Sequence, residues 1–249
     1  MVQFLSDETG MKLGFHQLTG TDPTLPGVVF LGGFRSDMSG SKALYLEDCC
    51  RKWGCAYVRF DYFGHGISSG RFEEATIGRW LKDVLFVLDR LTTGPQILVG
   101  SSMGGWLMLL ATLQRMSRIK ALVGIASAPD FLEEFHRLTP LQAAELQEKG
   151  VCYFPSQYGD PYPVTATLVE EGRAHRVLDK AIPINCPVRL LHGMEDQDVS
   201  FKKSLEISEK LTSTDVRVTL VKAGDHRLST ESDLALLRAT VAEFFEGGA

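Results

Sequence analysis

The sequence predicts an α/β fold with a mostly parallel eight-stranded sheet and helices on both faces. Short apolar runs recur along the chain and end in turn residues, and segments with apolar residues at helical spacing separate most of them. Alternation of this kind requires crossover connections, and these place helices on both faces of a parallel sheet. One interval, residues 130–186, breaks the alternation.

The first two strands, "VQFLS" and "KLGFHQL", flank the turn sequence "DETG" and predict an opening antiparallel hairpin. The later runs are mostly continuously apolar, which is typical of strands buried on both faces of a sheet. These six runs are "GVVFLGG", "CAYVRFDY", "QILVGS", "KALVGIAS", "VRLLHG" and "VRVTLVKAG".

Five segments between or after the strands have apolar residues at the spacing of one helix face. Each is 11 to 15 residues long, which suits a crossover or terminal helix. They are "SKALYLEDCCRKW", "IGRWLKDVLFVLDRL", "WLMLLATLQRM", "FKKSLEISEKL" and "ESDLALLRATVAEFF".

Residues 130–186 contain three helical patterns and a tract rich in Tyr and Pro, but no convincing buried strand. Ligands of open α/β sheets bind outside the carboxyl ends of the strands. We therefore expect a small helical cap over the site, inserted into a single domain whose core is 1–129 and 187–249. A purely structural elaboration is the alternative.

The composition excludes several classes of function. A net charge of −5 offers no basic field for nucleic acid, and no apolar window is long enough for stable membrane insertion. The five cysteines form no C-x-x-C pair, which favours a reducing compartment over a disulfide framework. We see no secretory signal and expect a cytoplasmic protein, or a protein of the mitochondrial matrix if a transit segment was removed.

The segment "ILVGSSMGGW" contains G-x-S-x-G at Gly100–Gly104, with Ser102 in the nucleophile position. A predicted strand ends directly before the motif and a predicted helix follows it. A nucleophile on such a strained turn requires small residues two positions before and after it, which Gly100 and Gly104 supply. Ser101 is then a structural residue at the strand end.

A serine hydroxyl needs a base to remove its proton. Of the six histidines, His226 follows the last predicted strand, on the carboxyl edge that also carries Ser102. We predict His226 as the base, because the chain order Ser, acid, His leaves no better candidate.

The acid that orients this base should follow a strand between Ser102 and His226. "LLHGMEDQDVS" places three carboxylates directly after a strand. Asp196 is the preferred acid and Asp198 the alternative, whereas Asp225, next to His226, is expected to be a loop charge.

An oxyanion needs two N–H donors. One is expected from Met103, the residue after the nucleophile, and the other from the early loop "FLGGFRSDMSG". Gly32 and Gly33 allow close backbone approach there, and the amide of Phe34 is the candidate.

Aromatic side chains are frequent in the predicted cap and indicate an apolar acyl or aryl site, although they would equally serve the packing of the cap itself. The substrate-binding candidates are Phe131, Phe135, Tyr153 and Tyr158, with Phe154 and Tyr162 in the same tract.

These motifs resemble the α/β-hydrolase superfamily along essentially the whole chain. The segments "VRFDYFGHGISSG", "GPQILVGSSMGGWLMLL", "IPINCPVRLLHGMEDQDV" and "STDVRVTLVKAGDHRL" resemble most closely a branch that contains a mitochondrial serine hydrolase and its bacterial relatives. The resemblance implies the triad Ser102, Asp196 and His226, with the acid-loop pattern H-G-x-x-D selecting Asp196.

The resemblance also implies the reaction: hydrolysis of esters or thioesters through an acyl-enzyme on Ser102. It points to a palmitoyl-protein thioesterase or an acyl-glucuronide esterase, acting on a small-molecule or acyl-protein substrate. The chemistry requires no metal and no organic cofactor. The alternatives are a general carboxylesterase, a lactone or peptide hydrolase, and a non-catalytic ligand-binding protein of the same fold.

Overall fold

The computed structural model describes residues 2–133, 138–154 and 161–245. Eight strands form one sheet: β1 Gln3–Ser6, β2 Lys12–Leu18, β3 Gly27–Leu31, β4 Tyr57–Phe60, β5 Gln96–Ser101, β6 Ile119–Ile125, β9 Val188–Gly193 and β10 Val216–Val221. Their order in the sheet is β1-β2-β4-β3-β5-β6-β9-β10, antiparallel across β1, β2 and β4 and parallel elsewhere. The predicted sheet is thus confirmed.

Helices cover both faces of this sheet, and each face has its own apolar core. The helices associated with the main sheet are α1 Ser41–Trp53, α2 Ile77–Leu91, α3 Met103–Gln114, α6 Lys202–Lys210 and α7 Glu231–Ala242. Buried apolar side chains of α2 and α3 belong to one core, and those of α1 and α7 to the other.

Sequence signals account for several helix ends. Gly54 ends α1 in the left-handed region with φ +82°, where a glycine meets no steric penalty. Thr230 and Asp233 form a reciprocal capping box at the start of α7, which satisfies backbone donors that the first turn leaves unpaired.

The strand order determines where the functional edge of the sheet lies. Strand β5 lies between β3 and β6, with Leu31 opposite Gly100 and Ile125 opposite Ser101. The helix that follows β3 covers one face and the helix that follows β5 covers the other, so their connecting loops diverge at this edge. Ligands of open α/β sheets bind in such a crevice.

The cap is not purely helical, which corrects the expectation from the sequence. It contains α4 Pro140–Lys149 and α5 Ala166–Arg173, but also an antiparallel pair of strands, β7 Val151–Phe154 and β8 Tyr162–Thr165. Cys152 and Val164 are fully buried. The short β8 contains Pro163, which a two-stranded sheet tolerates because both of its strands are edge strands.

Hydrogen bonds close the base of the cap and join it to α2. Buried Asp130, where the insertion begins, accepts N–H bonds from Val177 and Leu178 near its other end. Glu171 on α5 accepts from the amide of Gly78 at the start of α2. Across the described ranges, no helix has the length and apolarity that a membrane crossing needs.

Candidate active site

Ser102 occupies a strained turn between β5 and α3. Its backbone has φ +53° and ψ −118°, a region that non-glycine residues rarely occupy. A side-chain carbon on Gly100 would lie 2.4 Å from the carbonyl oxygen of Gly104, and one on Gly104 only 2.1 Å from that of Leu31. The two flanking glycines are therefore steric requirements of this turn, as the motif predicts.

The three predicted side chains lie in one hydrogen-bonded series. His226 Nε2 is 3.1 Å from Ser102 Oγ, and His226 Nδ1 is 2.8 Å from Asp196 Oδ2. The carboxylate oxygen can only accept, so Nδ1 carries a proton and neutral His226 has a free electron pair on Nε2. Such an imidazole can take a proton from the Ser102 hydroxyl.

Asp196 has a fully buried side chain that is saturated with donors. Its Oδ1 accepts the amides of Asp198 and Val199 at 2.9 and 2.8 Å, and its Oδ2 accepts from His226 and His192. Burial works to raise the pKa of Asp196, but the hydrogen bonds from the two histidines outweigh it and hold this pKa well below the usual range.

Asp198, the alternative acid, is exposed. Its carboxylate lies within 4.8 Å of ligand atoms of Asp196 and His226, a grouping that could also surround a cation. A cation held by all three residues would compete for the atoms that join His226 to Asp196, so the observed hydrogen bonds favour an arrangement in which Asp196 orients His226.

The loop that carries His226 is shaped by its neighbours. Asp225 accepts the amides of Arg227 and Leu228 at 3.0 and 2.9 Å, which makes it the loop-forming charge expected from the sequence. Lys42 donates to the carbonyl oxygen of Arg227. Burial lowers the pKa of Lys42 to about 8, so this hydrogen bond weakens at alkaline pH, where the ammonium group loses its charge.

The two expected oxyanion donors lie beside Ser102. A carbon on Gly33 would approach Ser102 Cβ to 3.4 Å, so the peptide between Gly33 and Phe34 runs next to the nucleophile. Met103 is the first residue of α3. Neither the Phe34 nor the Met103 amide donates to a group in the described parts of the chain.

The early loop is held by His65 from the segment "GHG". Its Nε2 accepts the amide of Arg35 at 3.2 Å, and its Nδ1 lies 3.2 Å from the carbonyl oxygen of Phe63. Burial lowers the pKa of His65 to about 4, which keeps the ring neutral and able to accept. Arg35 itself adopts φ +56° and donates through Nη1 to Pro161 of the cap.

The Phe34 side chain connects this loop to the cap. Its ring packs edge-on against Phe131 and Tyr162 of the cap, both at 5.6 Å, and against Phe72 and Trp80 of the core. Tyr153, another predicted substrate contact, is 53% exposed. The candidates Phe135 and Tyr158 lie outside the described residues.

Sequence reasoning missed two histidines near this site. His65 supports the early loop, and His192 donates to the carboxylate of Asp196. The available signals were the glycines on both sides of His65 and the four-residue separation of His192 from Asp196. Neither signal identifies a partner without the three-dimensional structure.

The fold agrees with comparisons to known proteins. A model of the alpha/beta hydrolase fold matches residues 28–157. The chain belongs to the α/β-hydrolase family, and it is a hydrolase. The resemblance stated from the motifs is thereby confirmed.

Particular relatives match over nearly the whole chain. Human mitochondrial palmitoyl-protein thioesterase ABHD10 is 42% identical over 98% of this chain and 80% of its own length. The structure of mouse alpha/beta hydrolase domain-containing protein 10 superposes with a TM-score of 0.90 at 41% identity, covering 98% of this chain and 97% of that one. A putative hydrolase from Agrobacterium vitis S4 superposes with a TM-score of 0.94 at 37% identity, covering 99% of both chains.

Proposed function

We propose that this hydrolase cleaves acyl thioesters and esters, with Ser102 as nucleophile, His226 as general base and acid, and Asp196 as the residue that orients the base. The observation that carries the proposal is the continuous series of hydrogen bonds from Ser102 Oγ through His226 to Asp196. This order of groups is the Ser–His–acid arrangement that activates a serine for acyl transfer.

In the first half of the reaction, Ser102 Oγ bonds to the acyl carbonyl carbon while His226 Nε2 takes the hydroxyl proton. The amides of Met103 and Phe34 donate to the resulting oxyanion, a role supported by their lack of other acceptors among the described residues. The intermediate collapses as the bond to the leaving sulfur or oxygen breaks, and His226 protonates that atom.

In the second half, water gives a proton to His226 and attacks the acyl group on Ser102. Ser102 leaves with that proton, and the carboxylic acid is released. Every proton in the cycle moves through His226, so the scheme uses only groups of this chain and water. Ion pairing with Asp196 stabilises the imidazolium that forms in both halves.

For the substrate we propose a long-chain acyl group in thioester linkage to a protein, the substrate class in the name of the human relative. The aromatic rings of Phe34, Phe131 and Tyr162 beside the early loop support an apolar acyl site. An S-palmitoylated peptide, its matched O-palmitoyl ester and an aryl acyl glucuronide test this choice. We expect the thioester to be preferred by more than about threefold in kcat/KM, and a smaller ratio favours a general carboxylesterase.

Labelling with a fluorophosphonate probe tests the nucleophile. Wild type should label and Ser102→Ala should not, while Ser101→Ala is the matched control on the neighbouring buried serine and should still label. Equal labelling of wild type and Ser102→Ala would contradict the assignment.

For the compartment we propose a reducing one, either the cytoplasm or the mitochondrial matrix. All five cysteines are free thiols and four of them are buried. The human relative is named as mitochondrial, which supports the mitochondrial alternative. Cell fractionation followed by detection of the endogenous protein distinguishes the two.

A further inference from the structure

A second histidine contacts the carboxylate that orients the proposed base. His192, near the end of β9, is fully buried, and its Nε2 lies 3.1 Å from Asp196 Oδ2 and 3.0 Å from the carbonyl oxygen of Val199. Its Nδ1 lies 2.7 Å from the hydroxyl of Ser204, itself a buried residue of α6. One carboxylate thus joins two serine–histidine pairs, one at the site and one inside the protein.

The acceptors around His192 determine where its proton sits. Nε2 faces a carboxylate oxygen and a carbonyl oxygen, and neither of these atoms can donate. Nε2 therefore carries a proton, and Nδ1 accepts from the Ser204 hydroxyl when the ring is neutral. In this state both ring nitrogens of His192 have hydrogen-bond partners, and the ring adds no positive charge beside Asp196.

We propose that His192 is a positioning residue of the proposed triad: its Nε2–H fixes the rotation of the Asp196 carboxylate and shares Oδ2 with His226. The inference rests on the proposed function, because it concerns the same acid. Two backbone amides hold Oδ1 on one side, and the donation from His192 leaves a single orientation in which Oδ2 faces His226.

Sharing of Oδ2 has a consequence for the base. A donor on this oxygen draws away negative charge that would otherwise stabilise the protonated His226. Without this donor, His226 should therefore hold its proton more tightly, and the acid limb of the kcat/KM profile should move to higher pH. The orientation of the carboxylate would also be less well defined, which lowers kcat.

Other charged groups near this series do not account for such a shift. Asp198 is exposed, with its carboxylate within 4.8 Å of Asp196 and His226, and the His192 substitutions leave this carboxylate in the chain. Lys203, next to Ser204 on α6, is paired with Glu206 at 3.1 Å. On β10, the register partner of His192 is the uncharged Leu220.

The test compares His192→Phe with His192→Gln, whose amide nitrogen can replace the Nε2 donor. For His192→Phe we expect kcat/KM to fall by about tenfold and the acid limb to rise by roughly half a pH unit or more, the size of one neutral hydrogen bond. His192→Gln should keep the wild-type limb and recover most of the activity. Leu190→Ala, which creates a cavity next to the same strand, should lower Tm and leave the acid limb unchanged.

A measurement on the wild-type protein covers the case in which His192→Phe does not fold. Nitrogen-15 NMR of the histidine rings should find the neutral His192 ring protonated on Nε2, with Nδ1 bare. This readout does not depend on turnover, so it separates failure of this inference from failure of the Ser102 assignment. A bare Nε2, or a folded His192→Phe with the wild-type acid limb, would overturn the proposal.

Discussion

The carboxyl edge of the main sheet and the cap above it differ in how strongly the chain is constrained. Around Ser102 the backbone is so close-packed that single added carbons on Gly100 or Gly104 would overlap backbone atoms. In the cap, by contrast, α4 has no buried residue and Leu141 is 71% exposed. The edge can hold reacting atoms in place, whereas the exposed side chains of α4 can change without disturbing them.

Phe34 belongs to both regions and shows how they are joined. Its backbone amide lies in the early loop beside Ser102, while its ring contacts Phe131 and Tyr162 of the cap. His65 and Tyr62 fix the same loop from the core, through the Arg35 amide and the Gly32 carbonyl oxygen. We therefore propose that the edge of the sheet carries out the chemistry and the cap selects the acyl group. The early loop connects the two regions.

The largest expected effect comes from Asp196→Asn, which should lower kcat on the order of 10⁴-fold, as for the acid of an analogous triad. If the amide nitrogen replaces Oδ1, it faces the donating amides of Asp198 and Val199. If it replaces Oδ2, it faces the donor on His192 and drives His226 into the tautomer that cannot accept from Ser102. Steady-state kinetics on a thioester substrate measures the loss.

Asp198→Asn is the matched control for this change, because Asp198 is exposed and accepts no hydrogen bond from His226 in the described structure. We expect it to retain activity within about threefold of wild type, the size of a surface charge effect. A large loss for Asp198→Asn with a small loss for Asp196→Asn would transfer the role of the acid to Asp198.

The second-largest expected effect comes from a glycine substitution that would displace the backbone at this edge of the sheet. Gly104→Ala would place a carbon 2.1 Å from the Leu31 oxygen and 2.6 Å from the Gly32 oxygen, so the early loop must move. We expect a loss of about 1–3 kcal/mol in the free energy of unfolding, with a fall in kcat because the displaced loop carries Phe34. Urea unfolding and kinetics of the folded fraction measure both.

Gly40→Ala is the control for a glycine that is not sterically required. Its added carbon would meet nothing closer than 3.7 Å, and its φ of −61° suits any residue. We expect it to cost less free energy than Gly104→Ala and to leave kcat unchanged. Equal behaviour of the two variants would show that the edge is less tightly packed than the structure indicates.

The same contrast explains what could be predicted from the sequence. Steric conditions at Ser102 are local, so the glycine spacing and the strand–helix context identified the turn, and the position after the last strand identified His226. The hydrogen bonds of His65 and His192 join segments that are distant in the chain or depend on a loop fold, so no residue pattern revealed them. The strands β7 and β8 were missed because they are short and one contains Pro163.

The smallest expected effect tests the cap. Tyr162 packs edge-on against Phe34 and stacks on Phe154 with ring centroids 5.8 Å apart, so Tyr162→Ala removes aromatic surface beside the early loop without touching a reacting group. We expect KM for a long-chain thioester to rise by about three- to tenfold, the size of one aromatic contact, with a smaller change for a short-chain thioester.

The exposed Leu141→Ala on α4 is the control and should leave the chain-length series unchanged. A uniform fall in kcat for Tyr162→Ala at all chain lengths would mean that Tyr162 acts through the position of the Phe34 amide. In that case the cap would contribute to the chemistry of the edge as well as to acyl selection, and the two regions would be less separate than their packing indicates.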